Sequence, residues 1–152
     1  MQDRDDTVST LNDLIETSKD GEYGFRTCAE HADSAQLRTL LQNRASECAT
    51  AASELAARVV ALGGTADTTG SVAGSMHRGW VAVRSALSTF DDLAVLSECE
   101  RGEDAAKKAY SDALEQDLPA DVRALVAQQY EGVQRNHDMI KRMRDSLRAA
   151  KA

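Results

Sequence analysis

Two glutamates stand where apolar side chains belong. Glu22 falls on the series Val8, Leu11, Ile15, Ser18, Glu22, Phe25, Ala29 and Ala32, and Glu103 on the series Leu96, Cys99, Glu103, Ala106, Tyr110 and Ala113. Both series advance by three and four residues, the spacing of one helical face. An acid on such a face needs a counter-ion, hydrogen bonds or a metal. Glu47 and Glu131 lie on two further helical stretches, and His137 follows Glu131 on the last of them. Carboxylates drawn from several helices to one level, with a histidine beside them, are the chemistry of a two-metal site. The acids neutralise two divalent cations such as Fe or Mn, and ligands at i and i+3 face the same way. The competing reading is a structural polar layer. In it Glu22 and Glu103 pair with Arg26, Arg44 or Arg101 and fix the register of the helices.

The ligand pattern departs from the two-metal scheme, which takes one Glu from each of two helices and a Glu-x-x-His from each of the others. Glu47-Cys48-Ala49-Thr50 has Thr50 where histidine is required. The last helix offers Glu131-Gly132-Val133-Gln134 or Gln134-Arg135-Asn136-His137, and neither is Glu-x-x-His. The heights do agree. At ~1.5 Å per residue, Glu22 lies about ten residues before the first interhelical turn and Glu47 about fourteen after it, within about one helical turn of each other. Glu22, Glu47, Glu103, Glu131 and His137 are therefore the candidate metal ligands, as an incomplete set. The expectation leans to a non-catalytic protein without a cofactor, with a Fe or Mn protein as the alternative.

Positioning these residues requires four long helices. The periodicity predicts them over Asp6–His31, Ser34–Leu62, Asp91–Gln116 and Pro119–Ala149. Asp33 or Ser34 caps the second, Gly63-Gly64 stops it, and Pro119 opens the fourth at a favoured position. Breaks of two or three residues between long helices mean antiparallel hairpins. The stretch 63–90 connects the two hairpins and carries a shorter predicted helix from Ser71 to about Leu87, with Met76, Trp80, Val83 and Leu87 on one face. Its surplus apolar surface predicts a homodimer. Gly21, Gly24, Gly102 and Gly132 interrupt the long helices close to Glu22, Glu103 and Glu131. Either helices approach closely there, the preferred reading, or space is left for an ion or a small ligand.

The composition bounds the rest. The chain has 152 residues and is 42% apolar, enough for one domain, residues 1–152, with a sizeable core and with 1–5 as a flexible tail. A net charge of −7 argues against nucleic acid as the partner. No run is long and apolar enough for a membrane span, and the acidic start MQDRDDTVST is no signal peptide. Cys28, Cys48 and Cys99 are widely spaced, which reads as reduced thiols in a cytoplasmic protein.

Several stretches carry a family resemblance. LNDLIETSKDGEYGF, the LGG after the second helix, SMHRGW, SECERGEDAA and DLPADVRALVAQQYEGVQRNHD together resemble the domain of unknown function 2383 family, uncharacterised bacterial ferritin-like four-helix bundles. The resemblance covers about Thr7 to Ala150 and implies an all-α, ferritin-like fold. It implies no activity, and only an interaction or stress-related role.

Overall fold

The computed structural model describes residues 3–66 and 91–151. The described residues form four helices: α1 (Arg4–His31), α2 (Ala35–Ala61), α3 (Asp92–Leu114) and α4 (Ala120–Lys151). The helix predicted between Ser71 and Leu87, with its Trp80 face, lies outside the described residues. Among the described residues no helix is long and apolar enough to cross a membrane.

Local chemistry sets the ends. Helix α1 begins two residues earlier than predicted, so part of the expected tail is helical. Asp3 is the reason, since its carboxylate accepts the Asp6 N–H at 2.9 Å. Asp5 and Asp6 then sit in the first turn, where the helix dipole favours acids. Ser34 caps α2 by accepting the Leu37 N–H at 3.3 Å. Helix α2 stops in a Schellman turn. Gly63 takes φ 80°, its N–H bonds Val60 O at 2.9 Å, and the Gly64 N–H bonds Val59 O at 3.0 Å. Asp91 caps α3, accepting the Leu93 N–H at 2.9 Å. Helix α3 ends at Leu114, two residues short of the expectation. Beyond its end the Arg123 guanidinium collects the Leu114 and Gln116 carbonyls.

Each predicted hairpin is present, with α1 against α2 and α3 against α4. The hairpins join mainly through α1 and α3, and only lightly through α2 and α4. Polar ties fix the direction of each helix. The Asp92 carboxylate at the start of α3 accepts the Asp33 and Ser34 N–H groups of the α1–α2 turn at 2.8 and 3.0 Å. At the other end Asn12 donates to Thr65 O at 3.1 Å, and Arg58 of α2 meets Asp121 of α4 at 3.1 Å. So α2 ends at one end of the bundle and α3 starts at the other, roughly 40 Å away by helix rise. The order is up, down, down, up, which is the consequence of one long crossover.

The inward faces follow a heptad. On α1 the sequence Leu11, Leu14, Ser18, Gly21, Phe25 and Cys28 is buried, and on α4 so are Val122, Val126, Val133, Asn136 and Ile140. A repeat of 3.5 keeps one seam facing its neighbours along nearly parallel helices. The apolar core divides in two. One cluster gathers Phe25, Cys28, Leu37, Leu41, Leu96, Cys99 and Ile140. The other gathers Leu11, Leu14, Ile15, Leu55, Val59, Tyr110, Val122, Val126 and Val133. Between them runs a band of polar side chains.

Candidate functional site

The polar band has two layers, one heptad apart on every helix. In the first, Ser18 of α1, Tyr110 of α3 and Gln129 of α4 form a chain that ends on α2. The Ser18 and Tyr110 hydroxyls are 3.2 Å apart, and Tyr110 donates to Gln129 Oε1 at 2.7 Å. Gln129 Nε2 then donates to Ala51 O at 3.3 Å and to Glu54 Oε1 at 3.2 Å. All four helices are thereby linked by hydrogen bonds. Burial pushes the Tyr110 phenol up to about 12, so it stays a neutral donor.

The second layer contains Phe25, Arg44, Glu103 and Asn136. Arg44 Nη2 donates to Glu103 Oε1 at 3.2 Å, and the two side chains are only 8% and 2% exposed. The guanidinium also lies over the Phe25 ring, 5.7 Å from its centroid. Burial raises the Glu103 carboxyl above the ordinary glutamate range, opposed chiefly by the Arg44 charge and by the Arg44 hydrogen bond. Arg44 keeps its charge because a guanidinium does not lose its proton in proteins. Its Nε has no hydrogen-bond partner among the described residues. The same surroundings push the Cys48 thiol up to about 12, chiefly by burial, and Cys99 is raised for the same reason beside Cys28. Thiols so placed are neutral and poor nucleophiles.

The five candidate ligands do not converge. Glu103 alone reaches the centre, and Arg44 is already bound to it. Glu22 is partly exposed and pairs along its own helix with Arg26 at 2.8 Å. Glu47 and Glu131 are exposed. His137 is buried, but on the shoulder of α4 that faces α3, with Nε2 2.7 Å from Asp104 Oδ1. A carboxylate-bridged metal pair needs several inward acids around a shared position. These five residues do not fit one, because Glu103 is the single inward acid among them and a guanidinium is bonded to it.

A cleft of about 360 Å³ opens between α2 and α4 onto this layer, with Glu47, Gln129, Gly132 and Arg135 among its walls. The helix-breaking glycines divide around it. A methyl group on Gly21 would meet Cys48 Sγ at 2.9 Å, so this glycine lets α1 approach α2. At Gly132 the nearest atom would be the Arg135 guanidinium at 3.7 Å, and Gly132 and Gly102 both line the cleft. Close approach explains the first, and open space surrounds the second.

The sequence pattern did not mark Asn136 as an inward residue, and it did not single out Asp104 from the other acids of SECERGEDAA. It named Arg44 only as one of three counter-ions. A signal for Arg44 was present, since the α2 stripe jumps from Leu41 to Cys48 and Arg44 falls in the gap.

The chain was also compared with known proteins. The model of a family described as a domain of unknown function (DUF2383) matches residues 6–116. No curated protein matches the chain.

The buried pair makes a pH-dependent prediction. Arg44→Met leaves the Glu103 carboxylate buried without its cation, which costs about 3–5 kcal/mol at neutral pH. Losing the cation raises the folded-state value of Glu103 further above its unfolded value of about 4.3. An acid raised in this way adds stability at low pH and loses it as the pH rises through the folded value. The deficit of Arg44→Met relative to the parent should therefore shrink as the pH falls from 7 towards 5. Urea unfolding at both pH values measures it, and a deficit that does not change with pH contradicts the assignment.

Proposed function

This chain belongs to the domain of unknown function 2383 family, and we propose that it is a non-catalytic, ferritin-like bundle whose role is protein interaction. The observation that carries the reading is the Arg44 guanidinium on Glu103 at the centre of the bundle. In a carboxylate-bridged protein, metal cations balance the inward acids. Here the side chain of Arg44 supplies the cation that balances Glu103, and His137 faces another helix. The single crossover between hairpins supports the ferritin-like architecture.

The first partner we propose is a second copy of the chain. Among the described residues the neighbouring helices α2 and α4 pack only lightly, and both carry incompletely covered apolar side chains. Leu40, Met143 and Leu147 are partly buried there, and Met139 is 38% exposed. A self-complementary stripe of this kind suits a twofold contact. Three buried cysteines without a disulfide support a reducing compartment, the cytoplasm.

Two measurements bear on the reading. Fe(II) added in air should oxidise no faster with the protein than in buffer alone. Protein-dependent oxidation that Glu103→Gln abolishes would overturn the non-catalytic assignment. Light scattering should return the mass of two chains, with Leu40→Asp reducing it to one. A single-chain mass for the parent at every concentration removes the homodimer.

A further inference from the structure

The shoulder between α3 and α4, away from the central pair, carries a second group of side chains able to act as ligands. Glu100 and Asp104 are four residues apart on α3, so they project from the same face. His137 comes from α4 and is buried, with 9% exposed. One ligand atom from each of the three lies within 4.8 Å of the others. His137 Nε2 points to this group, 2.7 Å from Asp104 Oδ1. Its other ring nitrogen, Nδ1, is 3.5 Å from Asp138 Oδ1. A ligand histidine needs this division of roles. One nitrogen faces the ion while a carboxylate orients the ring through the other.

We propose that Glu100, Asp104 and His137 form a binding site for one divalent transition-metal cation, with Zn2+ as the best match. One imidazole and two carboxylates are the donor set of a borderline cation, and three protein ligands leave a position for water. Asp104 has the room to adjust, being 58% exposed, so the oxygens can close to roughly 2.0–2.2 Å from one ion. Mg2+ prefers oxygen ligands and is a poor match. This inference goes beyond the proposed interaction role. It involves one ion outside the core and no turnover.

Arg144 controls access. It lies one heptad after His137 and holds the Glu100 carboxylate, with a second bond to Asp145 at 3.3 Å. Without metal, Arg144 bonds Glu100 and His137 bonds Asp104, forming an interhelical ladder. A bound cation must displace the guanidinium from Glu100, and Asp145 is placed to receive it. Metal binding therefore competes with an ion pair between the same two helices.

Calorimetric titration of the full chain with Zn2+, with Mg2+ as control, tests this. One Zn2+ per chain should bind, raise the melting temperature and shift the His137 imidazole resonances, while Mg2+ does none of these. Asp104→Asn, at an exposed position, and His137→Gln should each abolish the binding. Asp138→Asn should weaken it roughly tenfold by releasing the ring. Arg144→Gln should tighten it, an effect that a purely structural ladder does not produce. Zn2+ binding that is absent, or that survives unchanged in both Asp104→Asn and His137→Gln, overturns the proposal. Fe(II) oxidation dependent on Glu103 would overturn the non-catalytic reading and leave this site standing, so the two fail separately.

Discussion

A charged pair buried in the middle of a four-helix bundle governs the arrangement around it. Taking a carboxylate and a guanidinium out of water costs several kcal/mol per ion, and their attraction offsets this only when the geometry holds. Arg44 and Glu103 sit on α2 and α3, diagonal across the bundle and not packed against each other. Their contact therefore constrains both hairpins at once. The Phe25 face of α1 receives the cation, and the buried Asn136 of α4 lies in the same layer. Sliding any helix by a turn would leave a charge without its partner. Apolar packing alone imposes no such penalty, because leucines and valines one turn apart are interchangeable. The Ser18–Tyr110–Gln129 chain repeats the constraint one heptad away with neutral groups.

That band also explains the functional reading. Bundles that hold metal pairs place acids from all four helices inward and let the ions balance them. Here three of the four candidate glutamates lie at or near the surface, and the fourth is matched by arginine. The cleft above the pair has Glu47 and Glu54 in its walls, but both stand at its exposed side, and no histidine lines it. The histidine has moved to a neighbouring seam, where two acids of α3 meet it. Chemistry of the ligand kind is thus displaced from the core to a face between two helices.

Much of this was legible in the sequence, and the errors share one cause. The helices, the Ser34 cap, the Gly63 stop and the two hairpins follow from local patterns that tertiary contacts only reinforce. Glu103 was correctly singled out as an inward acid, and Arg44 was among the partners considered. The expected series on α1 already steps by sevens, so its error is one of phase: one of its two rows drifted a residue from the row that packs inward. The drift put Glu22 inward in place of Gly21, and His137 in place of Asn136. Arg144, one heptad after His137, likewise turns towards Glu100 on α3. Glycine and asparagine carry little hydropathic signal, so nothing local corrected the phase. The α3–α4 group was hidden for another reason. It joins residues far apart in sequence, and Asp104 looks like any exposed acid.

The central claim is that Arg44 and Glu103 act as one unit. A double-mutant cycle over Arg44→Met, Glu103→Leu and the double variant measures this most directly, by urea unfolding at pH 7. The account predicts that each single variant loses about 3–5 kcal/mol while the double variant recovers most of it, since an apolar pair replaces a buried ion pair at little cost. Losses that simply add in the double variant would contradict it, because the two charges would then be making independent contributions.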